Sequence, residues 1–249
     1  MPTDTKRGLK RILGDFDHDN IGTAAGNGIR WLNSSDAGDT AFDIVAATQG
    51  GVARGATAAT DDNLIELSHG LVAWRGQDGV LGMEVRAQLD VVTNVAFNIG
   101  FNDDALEDSN TLPVELATVT FTRNANDFVG FVFDVDATND DVHVIWTDDS
   151  ALTSTAIASL RYTGLGPLAG IYASYRIELQ DAGAGNQLVT LLTFVRKTAA
   201  AAAATGHQKR FSTLDRDQLL VPYTGWENRT ATAHQVTIDS IDIWASKPD

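Results

Sequence analysis

The sequence predicts an all-β protein, a sandwich or jelly roll, and three observations predict it. Between Leu81 and Phe101 apolar residues occupy alternate positions: Met83, Val85, Ala87 and Leu89, then Val95, Phe97, Ile99 and Phe101. Successive side chains of a strand point to opposite faces, so a period of two marks strands with one buried face. Phe128 to Trp146 repeats the pattern. Turn-forming residues recur roughly every 8 to 15 positions, with hardly any helical periodicity, as short-stranded sandwiches require.

Taken in order, residues 1–13 form a short basic arm and 14–249 a single β-sandwich domain. The arm holds Lys6, Arg7, Lys10 and Arg11, four of the 18 basic residues, and on a helix Leu9, Ile12 and Leu13 would share the opposite face. Strands are expected at Ile29–Leu32, at Phe42–Ala46 and twice within Asn63–Trp74, with a small-residue loop over Gly50–Thr60. Gln77-Asp78-Gly79 turns into the central pair, because Asp-Gly tolerates positive φ. That pair reads as one long hairpin joined at Asp90–Asn94. Val129–Val135 and Val142–Trp146 pair across an acidic loop, and Ile171–Gln180 pairs with Gln187–Lys197. Ala199–Ala204 bridges strands, being too short to hold a helix alone. Ser212–Leu220 reads as a helical turn with capping-box spacing. In Val236–Trp244 the apolar phase slips at Asp239-Ser240, the mark of a β-bulge.

A chain of 249 residues buries a large core without staples, and it has no cysteine for disulfides or thiolate metal sites. The formal charge of -15 argues against nucleic acid, whose phosphates need a concentrated basic face. An excess of Asp with little Lys also suits a saline environment, where salt screens self-repulsion. No apolar run approaches the roughly 20 residues of a membrane span, and no signal peptide follows the basic start.

Several pieces resemble, in this order, the concanavalin A-like lectin/glucanase sandwich, particularly its versions in structural proteins of tailed viruses. They are Gly14-Asp15-Phe16-Asp17; Gly82-Met83-Glu84-Val85-Arg86 running into Ala96-Phe97-Asn98-Ile99-Gly100-Phe101; and Val129-Gly130-Phe131-Val132-Phe133-Asp134. Tyr175-Arg176-Ile177-Glu178-Leu179, Leu219-Leu220-Val221-Pro222-Tyr223 and Val236 to Ile243 complete the set. The resemblance implies a concanavalin A-like antiparallel jelly roll over roughly residues 14–246. It speaks to fold more than to role.

No catalytic signature emerges. Glucanases of this fold carry paired acids on one strand, and no Glu-x-Asp-x-x-Glu motif occurs here. Glu84 has Arg86 as its same-face neighbour and reads as half of a surface ion pair. A lyase would need groups such as His143 and Tyr175 to converge, and no motif brings them together. The five histidines have no ligand-like spacing, and Gly-x-Ser-x-Gly, phosphate-loop and dinucleotide motifs are missing. Calcium is the one ion to weigh, since Asp134, Asp136, Asp140 and Asp141 crowd one strand end, yet an EF-hand's central Gly and final Glu are lacking. Tyr223, Trp226 and Arg229 fall in a polar stretch read as a loop, and Trp244 is out of phase with its strand. Exposed, these four form a contact surface for another subunit or a platform for sugar.

With the resemblance, these features imply a non-enzymatic virion structural protein, made in the host cytoplasm. It is a capsid decoration, turret or fibre component that docks on the major capsid protein through Lys6, Arg7, Lys10 and Arg11 and assembles as a homo-oligomer. The alternative is a carbohydrate-binding module for host surface glycans. No cofactor, nucleic acid or membrane insertion is expected.

Overall fold

The computed structural model describes residues 9–14, 16, 21–22, 31–45, 51–69, 74–107, 111–148, 151–152, 161–181, 187–198 and 201–246. In chain order the strands are β1 (Leu9–Gly14), β2 (Ile21–Gly22), β3 (Trp31–Ser35), β4 (Thr40–Ile44), β5 (Ala53–Ala56) and β6 (Leu64–Ser68). Then come β7 (Leu81–Leu89), β8 (Val95–Asn102), β9 (Val114–Ala117), β10 (Thr120–Arg123), β11 (Phe128–Asp134) and β12 (His143–Asp148). β13 (Ala151–Leu152), β14 (Ala173–Asp181), β15 (Gln187–Thr198), β16 (Ala201–Asp215), β17 (Val221–Asn228) and β18 (Gln235–Ser246) complete the set.

Two eight-stranded sheets face each other. The first runs β16-β15-β14-β7-β18-β5-β4, with β1 also on β18; the second runs β13-β12-β11-β8-β17-β6-β3-β2. Between them lies the main core, built from the alternating residues of each wall: Met83, Val85, Ala87 and Leu89 from one, Val95, Phe97, Ile99 and Phe101 from the other. Aromatic rings close its centre, with Phe97 stacked on Phe133 at 5.3 Å and Tyr175 edge-on to both Phe97 and Phe131 at 5.4 Å. Offset and edge-on pairs of this kind add to the apolar area they bury.

The central pair corrects an expectation. β7 and β8 are not a hairpin: β7 pairs with β14 and β18, whereas β8 pairs with β11 and β17. Residues 90–94 arch from one sheet to the other. Alternation shows that each strand has a core face, and it is silent about which neighbour supplies the hydrogen bonds. The other two expected hairpins form, β11 with β12 and β14 with β15. The expected bulge is present, since the β18–β7 register shifts between Ile238 and Ser240. Gly79, at φ 126°, makes the expected turn after a 3-10 turn at Gly76–Asp78.

Local readings elsewhere give way to sheet pairing. Leu9–Gly14 is a strand antiparallel to Ile241–Ser246, not an amphipathic helix, so Lys10 and Arg11 sit opposite Ala245 and Trp244. Six residues barely hold a helix in water, while an open strand edge satisfies their backbone groups at once. Lys6 and Arg7 lie outside the described residues. Ala201–Ala204 is already strand, β16 continues to Asp215 where a helical turn was expected, and Ala53–Ala56 within the expected loop is β5.

β9 and β10 pair only with each other and lie as a strap on the outer face of the second sheet. Val114, Leu116 and Phe121 pack there on Phe128, Val132, Ile145 and Tyr223, and Leu112 on Leu64 and Ala96. Asn98 fixes the strap from below: its Nδ2 donates to the Val114 carbonyl at 2.9 Å, and its Oδ1 accepts from the Val114 N–H at 2.8 Å. β8 and β17 are consequently buried on both faces.

Candidate functional site

A cleft of about 540 Å³ opens at one end of the sandwich, within the size range of small-molecule sites. The β7–β8 arch supplies Val92 and Thr93, the β11–β12 loop supplies Asn139, Asp140 and Asp141, and the segment before β14 supplies Arg161, Thr163, Gly164 and Gly166 to Leu168. Phe133 and Arg196 complete the lining. Two backbone bonds fasten the lips, Val142 N–H to Leu165 O and Tyr162 N–H to Val142 O, both 2.8 Å, and Leu165 N–H to Tyr162 O at 2.9 Å closes the turn within one lip. Gly166 lets the lips meet, because a Cβ there would stand 2.1 Å from the Asp140 carbonyl oxygen.

The polar groups fall into two sets. Arg196 is structural, donating through Nη1 to Gly166 O and through Nη2 to Gly164 O at 3.3 Å. Arg161 Nε stands 3.9 Å from the Asp141 carboxylate. Toward solvent the cleft presents Thr93, Thr163 and Asp140, all exposed, and half-buried Asn139. Beside them lie half-buried Val92 and Leu168 and buried Pro167. Carboxylate, amide and hydroxyl groups next to an aliphatic floor suit a ligand with hydroxyls on its edge and C–H groups on its face. Sequence reasoning missed Arg161, Arg196 and the turn at 163–168; the signal was Gly164-Leu165-Gly166-Pro167, a dense turn marker.

The acidic residues weighed for calcium separate in space. Asp134, 1% exposed, belongs to Arg229, which reaches it through Nε at 3.1 Å and Nη2 at 2.7 Å. Asp136 is exposed on the turn, and Asp140 and Asp141 line the cleft. Asp134 is thus corrected from a loop ligand to half of a buried bidentate pair, the strongest geometry a guanidinium offers. Among the described residues no group of three or more His, Cys, Asp or Glu side chains is disposed to hold a metal ion.

The expected contact surface is also corrected. Tyr223, Trp226 and Arg229 are not exposed in a loop: β17 takes up 221–228 in the middle of the second sheet, and Arg229 follows it. Trp226, 1% exposed, faces the core against Phe42 at 5.7 Å. Tyr223 points the other way under the strap and donates its hydroxyl to Glu66 Oε1 at 2.7 Å. Arg229 also pairs with Glu227 and stands 3.6 Å from Glu115 and 3.7 Å from Asp62. Burial alone would lower its pKa, yet Asp134 and Glu227 hold it above the ordinary arginine value. Burial pushes Glu227 up to about 8 in spite of Arg229, with Glu115, Asp62 and Asp134 adding repulsion.

A second acidic group sits at the other end of the strap. Glu66 Oε1 accepts the Glu107 N–H at 2.9 Å, and Asn102 Nδ2 donates to Glu107 Oε1 at 2.6 Å. Burial, then the charges of Glu66, Asp103 and Asp104, raise Glu107 to about 7 against the Asn102 hydrogen bond.

Trp244 alone of the four is on an outer surface, half-buried, its indole lying across Gly82, where a Cβ would stand 2.2 Å away. The Arg176 guanidinium covers it at 4.9 Å. Nearby, the expected Glu84–Arg86 pair is replaced by cross-strand pairs: Glu84 with Arg176 at 3.6 Å, and Arg86 with Asp239. The bulge at 238–240 brings Asp239 toward Arg86, which also lies 4.3 Å over Tyr172. His143 faces Phe121 of the strap and Tyr175 faces the core, so they do not converge.

No family model matches the chain, and no curated protein does. Solved structures match nearly end to end. A protein of unknown function from Shewanella oneidensis superposes with a TM-score of 0.56 at 12% identity, over 99% of this chain and 90% of that one. Peanut lectin, solved with a nine-residue peptide, gives 0.55 at 10% identity over 97% and 99%. Lectin UEA-II in complex with galactose gives 0.54 at 11% over 96% and 99%. The fold is therefore the concanavalin A-like jelly roll of lectins, as the sequence resemblance implied; identities this low establish the fold alone.

Proposed function

We propose that the protein is a carbohydrate-binding module that holds a sugar in the end cleft and acts by binding, without catalysis. The observation that carries this reading is the cleft's lining, with Asp140, Asn139, Thr93 and Thr163 placed around the aliphatic patch of Val92, Pro167 and Leu168. Hydroxyls of a sugar satisfy the first set while its C–H face covers the second. The lectin fold of the neighbouring structures supports the same reading. Binding without catalysis is supported by how the acids are spent: Asp134 and Glu227 on Arg229, Glu66 on Tyr223, Glu84 on Arg176.

The test is a glycan array followed by calorimetry on wild type and a Thr163→Trp variant, whose indole blocks the cleft from an exposed position. Wild type is expected to bind a subset of glycans and the variant to lose at least roughly ten-fold in affinity. Unchanged binding by Thr163→Trp would move the site elsewhere. A place on a virus particle, reached through Lys6, Arg7, Lys10 and Arg11, rests on the sequence resemblance alone. A truncation that probes it should stop at residue 8, since β1 begins at Leu9.

A further inference from the structure

The geometry points to an end cleft that selects uncharged sugars and rejects acidic ones, with Asp140 as the residue that sets this selectivity. The inference rests on the carbohydrate reading above and sharpens it to a ligand class. An acidic sugar, carrying a carboxylate or sulfate, needs a cation free to meet it, ideally a guanidinium fork. The cleft contains two arginines, and both are committed. Both terminal nitrogens of Arg196 are turned onto the Gly164 and Gly166 carbonyls, and its Nε is buried away from a ligand. Releasing Arg196 would untie the segment that forms the lip. Arg161 is held toward the Asp141 carboxylate, its Nε likewise buried.

Asp140 is different. It is exposed at the rim and faces the same space as Asn139 and Thr163. A carboxylate there accepts hydrogen bonds from sugar hydroxyls and repels a second negative charge. Beyond the cleft, whose own lining balances two arginines with two aspartates, the chain's formal charge of -15 disfavours the long-range approach of an anion. Like charges brought together at a binding surface suppress the wrong partner more than they weaken the right one.

The experiment is calorimetric titration with matched pairs of oligosaccharides, identical except for a terminal carboxylated sugar, on wild type and Asp140→Asn. Wild type is expected to bind the uncharged member at least roughly ten-fold more tightly. Asp140→Asn keeps the side chain's shape and an acceptor oxygen, so it should narrow that gap about three-fold or more, chiefly by improving the acidic ligand. The gap should also shrink as NaCl is raised, as an electrostatic preference must. Equal or tighter binding of the acidic members would overturn the selectivity and leave the carbohydrate reading standing. A gap untouched by Asp140→Asn would overturn the role of Asp140. Failure of every glycan to bind would remove the carbohydrate reading itself, and the selectivity with it.

Discussion

The outer faces of the two sheets come from similar alternating strands and solve opposite problems. On the first sheet, Arg86, Asp239, Arg176 and Glu84 pair across strands in the open, with side chains 37–46% exposed. On the second, Glu66, Asp134 and Glu227 lie at 1% exposure or less beneath a strap. In water a charge pair gains little because each ion was already well solvated. Under the strap each carboxylate has given up that solvation and depends on a partner. The acidity of this chain is therefore surface decoration on one side and part of the architecture on the other.

Arg229→Ala should break the comparison hardest. It leaves the buried Asp134 carboxylate without its cation and Glu227 without its hydrogen-bond donor, at a cost of about 3–5 kcal/mol, readable in urea denaturation. A cost below about 1 kcal/mol would mean that the strap region is wet.

The next effect is pH dependence. Burial raises Glu107 to about 7 and Glu227 to about 8 in the folded protein, against the ordinary 4.5 of a solvent-exposed glutamate in the unfolded chain. The folded state thus holds their protons where the unfolded state has released them. Their stabilising contribution is complete below about pH 4.5 and is lost as pH rises through 7 to 8. The melting temperature should fall by roughly 5 °C between pH 5.5 and 8.5, and Glu107→Gln should flatten the slope. A melting temperature that rises over this interval would contradict the burial of these acids.

The smallest effect belongs to the open face, where Arg86→Ala should cost no more than about 1 kcal/mol, checked in the same urea titration.

The same contrast explains what was legible in the sequence. Met83 to Leu89 announced a strand with one wet face, and that is what β7 is, with Glu84, Arg86 and Gln88 half-exposed between buried neighbours. The bulge at Asp239 was equally visible, as a slip of phase. β17 was misread because a strand covered on both sides shows no alternation: Thr224, Glu227 and Asn228 look like a loop and are buried. Trp226 and Tyr223 were misplaced for the same reason. Of the cleft, Asp140 and Asp141 stood out in the sequence only as acids to weigh for calcium. Arg161 and Arg196 went unseen, since they stand 35 positions apart and only the folded sheet brings them to one cleft.

The strand order also dictates when this protein can exist. β17 lies between β8 and β6, and β18 between β7 and β5 and β1, so the middle of both walls is filled from residues 221–246. A growing chain that has reached residue 220 holds two halves of each sheet with a missing plank, its apolar faces uncovered and its strand edges open. Folding must wait for the last segment, and contacts of such long sequence separation form slowly. Until then the nascent chain is a client for chaperones. Premature termination anywhere in those 26 residues should therefore yield aggregate, not a smaller domain.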